Sequence, residues 1–556
     1  MNASDSSVLS PEWLDGFQHR ALVSSPSPPG LSRFGAARIV SSMLPSIRIL
    51  SSARLIAGLT LCSRVLGLAR EAVFGYFFST SELLSAYRVA YMIPNLARRL
   101  FGEGALSSAL VPTLTDSLAE RGDQESRQFV GSVFTVLAAV LVVLVLLGEG
   151  VIFFWRGIRD DLSLELAAIL LPYMLLICLV AVAGGVLNVR GRFAVPAAIP
   201  VILNVVIIAG VGGGTFLGVR ADLDLIHVLC VSVLVAGVIQ VGVMAMALRR
   251  ASFFPVFGGA WRDPQVRTVL KLMAPMMIGL SAVQINTLAD YLIAYVFVHE
   301  NGVRVGPAVL GYAHNLYQLP LGVFGISLAT AIFPVLSQKA AANDRPGLGD
   351  TAARGIRFGL FVALPAAVGL ILVARPLVAA LLQHGEFGAR DTERVAGVLV
   401  MYSIGLPAYF VQHVVIRTFY ALKESRTPAK VALWMVGINL ALNLALVFPL
   451  QERGLALATA LCAIFQVIWL SFEIRRLVPE LDWRSVMMGG LSALLATAVM
   501  TGALLGVGAS SQFQRLVGDR ALFELGVLVA VGVLTYGLAA RVLRMEELRA
   551  VLRRSK

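Results

Sequence analysis

Charged side chains lie inside two apolar stretches near the start of the chain, where arginines recur beside single carboxylates. In "SRVLGLAREAVFGYFF", Arg64 and Glu71 are seven residues apart, which places them on one face of a helix. In "PNLARRLFGEG", which follows, Arg99 and Glu103 are four residues apart and can pair. An ionisable group in an apolar span is costly unless it faces a partner or a wet cavity, so these residues are functional candidates.

The excess of arginine indicates what such a cavity would bind. Planar guanidinium donors bind two phosphate oxygens at once and stay protonated where water is scarce. Convergent arginines, with Arg64 and Arg98 foremost, therefore predict an anionic, phosphorylated substrate. The alternative is that the arginines brace neighbouring helices or reach the lipid headgroups, and it applies most to Arg70 and Arg99, which have carboxylate neighbours.

A second group of polar residues occurs in the C-terminal part of the chain. Asp290 lies in the apolar stretch "INTLADYLIAY", Asn439 and Asn443 are one helical turn apart, and Thr459 lies in "GLALATA". One carboxylate with several neutral oxygens is a ligand set suited to a small hard cation. Asparagine pairs also hydrogen-bond across helices as structural contacts, and that alternative stays open.

The elements that carry these residues are predicted to be transmembrane helices. Of 556 residues, 58% are hydrophobic and only 14% charged, against about 25% charged in soluble proteins. Apolar runs of roughly 20 residues, the length that crosses a bilayer, recur almost to the C-terminus. The expected fold is an all-α integral membrane protein with about 14 spans, placed at 49–77, 83–115, 129–154, 163–187, 195–218, 224–248, 268–298, 306–336, 352–382, 392–421, 428–449, 454–474, 485–507 and 521–543.

The chain resembles itself, which predicts its organisation. "GEGALSSALVPTLTD" aligns with "FGISLATAIFPVLSQ" at a constant offset, and parallel repeats of this kind are typical of transporters that bind substrate between two halves. The stretch before the first span is rich in Ser and Pro, and its start at Met1 or Met43 stays open. The expected parts are a disordered cytoplasmic tail at 1–46, an N-terminal lobe of six spans at 47–250, a C-terminal lobe of six spans at 251–480, and two extra spans with a basic tail at 481–556.

Lys and Arg concentrate in alternate short loops, which predicts that both termini are cytoplasmic. The formal charge of +13 is dispersed through these loops instead of forming a stripe, so a nucleic-acid partner is not expected. All four cysteines fall in apolar stretches without metal-ligand spacing. The chain contains no Walker loop, HExxH or GxSxG motif, and we expect a transporter instead of an enzyme.

Three motifs resemble one known family. At "SRVLGLAREAVFG", "PNLARRLFGEGALSSALVP" and "YQLPLGVFGISLATAIFP", the chain is similar to the MurJ (MviN) family of lipid II flippases, within the multidrug/oligosaccharidyl-lipid/polysaccharide exporter superfamily. The resemblance covers essentially all of the chain from about residue 47. It implies two lobes around a cationic cavity that opens alternately to either side of the membrane, with the last two spans forming a groove for the lipid tail.

The resemblance also implies the cargo, the location and the site residues. The cargo would be lipid II, the undecaprenyl-diphosphate disaccharide-pentapeptide used in bacterial cell-wall synthesis, moved across the inner membrane among membrane lipids and near the cell-wall machinery. No cofactor is required, but Na⁺ is implied as a coupling ion. The implied cavity residues are Ser63, Arg64, Arg70, Arg98, Glu103, His314 and Asn315. The implied sodium ligands are Asp290, Asn439, Asn443, Thr459 and the backbone carbonyl of Leu455.

Departures from the family pattern leave other functions open. Asn315, after His314, stands where the family usually has arginine, so the C-terminal lobe loses a cavity charge; Ser85 and Met92 also depart from common family residues. The alternatives are a flippase for another polyprenyl-diphosphate-linked oligosaccharide, a cation-coupled drug exporter, and a scaffold that transports nothing. A drug exporter would favour carboxylates in its cavity, whereas a scaffold would tolerate loss of Arg64 and Arg98.

Overall fold

The described part of the chain is almost entirely helical. The structure is a computed structural model that describes residue 55 and residues 58–553 apart from 160, 220, 258–262 and 519. The chain divides into two units, residues 1–58 and 59–556. The expected N-terminal tail and its two candidate start positions lie outside the described residues.

Seven helices form what we call the N-terminal half. They are α1 (58–78), α2 (Glu82–Ala97), α3 (Ala105–Arg156), α4 (Leu162–Leu170), α5 (Tyr173–Val189), α6 (Ala194–Phe216) and α7 (Asp222–Arg250). A π-helical turn, Arg98–Gly104, joins α2 to α3. Gly122 interrupts α3 with a φ of 77°, a left-handed conformation that glycine adopts without strain, so α3 is kinked there.

Eight helices and one hairpin form the C-terminal half. They are α8 (Pro264–Phe297), β1 (His299–Glu300), β2 (Val303–Arg304), α9 (Gly306–Pro320), α10 (Ile326–Ala341), α11 (Arg345–Leu382), α12 (Ala389–Ile404), α13 (Leu406–Ala421), α14 (Arg426–Leu450) and α15 (Glu452–Leu477). The strands β1 and β2 pair antiparallel. Another π-helical turn, Leu321–Gly325, joins α9 to α10. The repeated sequences thus share a structural feature, since each begins in or just after a π-helical turn.

The remaining helices cover one side of the C-terminal half. They are α16 (Trp483–Ala509), α17 (Ser511–Val517), α18 (Ala521–Val542) and α19 (Glu546–Arg553). Both α16 and α18 pack against α11. The hydroxyl of Tyr536 donates a hydrogen bond to the carbonyl of Phe361 at 2.6 Å, and Arg357 pairs with Glu546 and Glu547. These contacts hold the last long helices to the lobe instead of leaving them separate in the lipid.

The helices have the outward apolar surface that a lipid environment requires. Among the described residues, ten helices are long and apolar enough to cross a membrane, or eleven if the bent pair α12–α13 is one span. The prediction of an all-α membrane protein is confirmed, but this criterion does not confirm the number fourteen. Helices also occupy the three expected spans that do not qualify, 49–77 (from residue 58), 83–115 and 268–298, and these carry the charged candidates.

Hydrogen bonds and ion pairs join the two halves at what we call the hairpin end, which comprises residues 76–82, 161, 299–304 and 383–391. The hydroxyl of Tyr312 donates to the carbonyl of Ser79 at 2.9 Å, and the amide of Glu386 donates to the carbonyl of Tyr76 at 3.0 Å. The hydroxyl of Thr80 donates to the carboxylate of Asp391. These contacts close the bundle at this end.

An ion pair adds to the closure of the hairpin end. Arg304 of β2 contacts a carboxylate oxygen of Asp161 at 2.7 Å, and the hydroxyl of Tyr295 donates to the other oxygen at the same distance. Burial raises the pKa of Asp161, but the hydrogen bonds from Tyr295, Ser163 and Arg304 outweigh it, so the net pKa lies below the ordinary value. Asp161 therefore stays ionised and paired at neutral pH.

Candidate functional site

A cavity of about 670 Å³ lies between the two halves, bounded by α1, α2, α5, α6, α7, α8 and α9. Its lining reaches from the middle of α9 to Asn188 and Pro196, which flank the turn at the opposite end from the hairpin. Side chains that can bind an anion line it, namely Arg70, Arg88, Arg98 and Arg99. The expected cavity residues Ser63, His314 and Asn315 also line it, together with Asn95, Asn204 and Gln318.

A buried carboxylate holds two of these arginines. Glu71, only 2% exposed, accepts a hydrogen bond from Arg70 at 2.8 Å on one oxygen and pairs with Arg88 through the other. Both guanidinium carbons lie over the ring of Phe74, 5.6 and 5.7 Å from its centroid. A buried carboxylate is costly alone, and two cations with a π-face offset that cost. Glu71 thus fixes the direction in which Arg70 and Arg88 point.

A chain of hydrogen bonds ties this group to α6. Arg70 donates from Nη1 to the side-chain oxygen of Asn204 at 3.1 Å, and Asn204 donates in turn to the carbonyl of Ser63 at 3.1 Å. An arginine fork is rigid, so two fixed partners leave it one orientation. The side chain of Arg70 is therefore positioned before any ligand arrives.

The π-helical turn after α2 presents two further arginines. Arg98 donates to the side-chain oxygen of Asn95, one turn earlier, at 2.9 Å from Nη2 and 3.2 Å from Nε. Arg99 donates to the side-chain oxygen of Gln284 on α8 at 3.0 Å. The side chain of Glu103, predicted to pair with Arg99, lies outside the described part of the structure. The turn directs adjacent arginines to two different helices.

Arg64 is not among the residues that line this cavity. Its guanidinium lies against Gly322 in the second π-helical turn, where a Cβ added to Gly322 would come within 2.2 Å of Nη2. Only a residue without a side chain leaves room for Arg64 there. In this conformation Arg64 is a contact between the two halves, whereas Arg70 and Arg98 lie on the cavity wall.

His314 and Asn315 bring a neutral wall to the cavity from α9. A ring nitrogen of His314 lies 2.5 Å from the side-chain nitrogen of Gln318, and the ring meets Tyr317 and Tyr402 edge-on, with centroids 5.2 and 5.9 Å away. The histidine is thus packed in an aromatic cluster. Asn315 lines the same cavity as the arginines of the N-terminal half.

The second predicted group also comes together, on α8, α14 and α15. The side-chain nitrogen of Asn443 donates to Asp290 at 2.6 Å and to the oxygen of Asn439 at 2.9 Å. The hydroxyl of Thr459 donates to the carbonyl of Leu455 at 3.0 Å and lies 3.3 Å from Asp290. The side-chain oxygen of Asn443 is buried and accepts no hydrogen bond from the described residues. Five residues with oxygen ligands therefore lie together, and the side-chain oxygen of Asn443 is a buried acceptor that no donor among the described residues uses.

Sequence reasoning missed Arg88 and Asn204. Arg88 stands in the apolar run "AYRVAYMIP", so the rule that marked the other arginines could have found it. Its partner Glu71 lies on a different helix, and no sequence spacing predicts that contact. Asn204 carries no charge and stands alone in an apolar span, so its part in holding Arg70 had no sequence signal.

Comparisons with known proteins agree with this architecture. The family model described as lipid II flippase MurJ matches residues 74–524. A probable lipid II flippase MurJ of Rhizobium tropici is 31% identical over 507 residues, which cover 87% of this chain and 92% of the relative.

Solved structures have the same arrangement of helices. A lipid II flippase MurJ in an inward closed conformation superposes with a TM-score of 0.73 at 25% identity, covering 88% of this chain and 99% of that one. An inward-facing MATE family multidrug transporter of the MOP superfamily has a TM-score of 0.56 at 16% identity, covering 76% and 94%. The second likeness concerns the fold alone.

Proposed function

Because the chain belongs to the MurJ family of lipid II flippases, we propose that it moves lipid II across the membrane without covalent chemistry. The observation that carries the proposal is the cavity between the halves, with four arginines on its wall. A diphosphate carries several negative charges, and guanidinium forks bind its oxygens in pairs. The cavity is thus chemically suited to the diphosphate, the charged link of lipid II, which lipid cannot solvate.

The arginines have different parts in this proposal. Arg70 and Arg98 contact the diphosphate, since both line the cavity and other residues already orient their guanidinium groups. Ser63, His314 and Asn315 line the space for the neighbouring sugar and peptide. Arg64 braces Gly322 in this conformation, so its contact with the diphosphate stays a prediction, as does that of Glu103.

Alternating access requires a second conformation in which the hairpin end opens. The closed hairpin end and a lining that reaches the opposite end support a state open toward the turns that contain Arg190, Lys339 and Lys423. These turns are basic, so the positive-inside rule assigns them to the cytoplasm. We therefore propose a bacterial inner-membrane protein with both termini cytoplasmic, loaded in this state and emptied on the other side.

The group around Asp290 fits Na⁺. A carboxylate, amide oxygens, a hydroxyl and the carbonyl of Leu455 are hard donors, and the unpartnered buried oxygen of Asn443 is the acceptor a cation would satisfy. Bound Na⁺ would supply a positive charge that stabilises one conformation, provided that its affinity differs between the two. Asp290 and Asn443 would hold it, since both are buried side chains of the group.

Two other functions compete with this one. A flippase for a different polyprenyl-diphosphate oligosaccharide would use the same arginines. The neutral side chain of Asn315 on the cavity wall is the observation that supports this alternative. A cation-coupled drug exporter shares the fold, but Glu71 is already neutralised by two arginines and leaves a net positive cavity. The charge of the cavity therefore favours an anionic cargo over a cationic drug.

The test is lipid II flipping in cells that depend on this protein alone. We would compare wild type, Arg64→Ala, Arg98→Ala and Asn315→Arg at matched expression, with Arg354→Ala as a control, since Arg354 pairs only with exposed Asp350 among the described residues. Loss of flipping in Arg98→Ala and a gain in Asn315→Arg would support the proposal. A folded wild type that flips no lipid II would overturn it and favour a different cargo or a scaffold, and unchanged flipping in both alanine variants would remove Arg64 and Arg98 from the substrate site.

A further inference from the structure

Arg88 is a cavity arginine of the N-terminal half that packs against the C-terminal half. Its guanidinium carbon lies 5.3 Å from the centroid of the Tyr312 ring on α9. A Cβ added to Gly311 would come within 2.7 Å of its Nε, so the missing side chain of Gly311 is what admits it. Arg88 belongs to α2 but packs on the helix that carries Asn315.

Arg88 also has an unused hydrogen-bond donor. Its Nε is buried and makes no hydrogen bond to the described residues, and the same holds for Nε of Arg70. Leaving a charged donor unsatisfied away from water is costly, and natural interiors rarely do so. Both arginines share Glu71 and line one cavity, so an anion in the cavity that shifts either guanidinium would give its buried, unused donor a partner.

We propose that Arg88 binds phosphate oxygens of the cargo together with Arg70, and that Glu71 is the internal carboxylate that holds both arginines ready. The inference rests on the proposed function for the identity of the cargo, but its chemistry needs only a diphosphate. Two guanidinium groups on either side of the Glu71 carboxylate present donors to two phosphate groups, whereas a single guanidinium group binds one phosphate group. Arg88 is thus a specificity-determining residue that favours diphosphate over monophosphate.

The same contact couples binding to the hairpin end. The ring of Tyr312 that lies beside Arg88 carries the hydroxyl that donates to the carbonyl of Ser79. A phosphate that draws Arg88 toward the cavity removes the cation from this ring and weakens the packing of α2 on α9. Cargo in the cavity therefore loosens one of the contacts that close the hairpin end.

The experiment measures binding to the purified full-length protein in detergent, with undecaprenyl diphosphate and undecaprenyl monophosphate as probes, read by native mass spectrometry. Arg88→Met keeps an unbranched apolar stem and removes the guanidinium group with its charge. We expect it to weaken diphosphate binding roughly tenfold or more, the factor expected for a lost charge-assisted hydrogen bond. Monophosphate binding should fall less, so the preference for diphosphate shrinks, which a purely structural defect would not cause.

A double-mutant cycle separates binding from neutralisation of Glu71. The effect of Arg88→Met is measured in wild type and in Glu71→Gln, where no buried carboxylate is left that needs Arg88 as a partner. A fold-loss that persists in the Glu71→Gln background, but is smaller there because Glu71 no longer holds Arg88, supports the proposal, with Arg354→Met as the unaffected control. Loss in wild type that disappears in the Glu71→Gln background would overturn it, as would an Arg88→Met protein that binds both probes normally.

The outcomes distinguish this inference from the proposed function. A wild type that binds undecaprenyl diphosphate through Arg88 but flips no lipid II would refute the cargo and keep the phosphate site. An Arg88→Met protein that flips lipid II as well as wild type does would refute the role of Arg88 and leave the flippase function intact. Gly311→Ala adds an independent check, since it displaces the guanidinium of Arg88 without removing it and should mimic Arg88→Met.

Discussion

The two polar regions of this membrane protein differ in how much of their hydrogen-bonding capacity is already used. Arg70 and Arg88 line a cavity of about 670 Å³, and each has a buried Nε donor that the described residues leave unused. Around Asp290, the side chains bond to one another and leave one spare acceptor on Asn443. Spare donors beside a large space suit a bulky anion, whereas a spare acceptor in a compact group suits a small cation. The type and number of unsatisfied atoms thus distinguish a cargo site from an ion site.

The distinction between a cargo site and an ion site fails most completely if transport does not need an arginine of the cavity. Arg70→Ala removes a guanidinium with two fixed partners and leaves Glu71 with one cation, so we expect flipping to fall about a hundredfold or more at every Na⁺ concentration. Flipping assays over a range of Na⁺ would check this. Arg70→Lys keeps the charge without the fork and should recover only part of the rate. Full activity of Arg70→Ala would remove the cavity from the mechanism.

Replacing Na⁺ by choline tests the other region. We expect Na⁺ to raise the melting temperature of the purified protein, because a ligand that binds only the folded state stabilises it. Asp290→Asn should abolish this response and reduce flipping less than Arg70→Ala does, because the diphosphate contacts stay intact. A melting temperature that ignores Na⁺ in the wild type would contradict the ion site. Arg70→Lys, which keeps the group around Asp290, should retain the Na⁺ response.

A smaller effect, on the free energy of unfolding, should distinguish Asn443 in the group around Asp290 from Asn204 in the cavity. Asn443→Ala removes a donor from buried Asp290 and should lower the free energy of unfolding by about 1–2 kcal/mol. Asn204→Ala borders the wet cavity, where water replaces the lost partner of Arg70, and should cost about 0.5 kcal/mol or less. Denaturant unfolding of both variants in the same detergent checks the order. Equal losses would mean that the two regions are equally dry.

The smallest effect concerns pH at the hairpin end. The pKa of Asp161 lies below its ordinary value of 3.8, so its pairing with Arg304 is present above that value and is lost only as the pH falls through the lower, folded pKa. We expect no change in the closure of this end between pH 8 and pH 5. Labelling of Ser79→Cys, which keeps the backbone carbonyl that accepts from Tyr312, would report the closure. Opening within that range would mean that another group controls it.

The sequence predicted the helical membrane fold and most side chains of both regions, but not how they are paired. Intramembrane charge identified Arg70 and Arg98, and the polar residues around Asp290 do converge. The partnership of Glu71 with Arg88 and the position of Arg64 against Gly322 depend on how separate helices meet. Such contacts are set by tertiary packing, which has no fixed spacing in sequence.

The contacts of the hairpin end also act as a barrier to the passage of ions through the protein. A cavity with fixed positive charges that is hydrated at one end would dissipate the membrane potential if water also passed continuously through its other end. Thr80 with Asp391, Tyr312 with Ser79 and Arg304 with Asp161 each join the two halves separately. The barrier to ions is therefore distributed over several contacts, and breaking one of them during the transport cycle does not by itself make the flippase a leak.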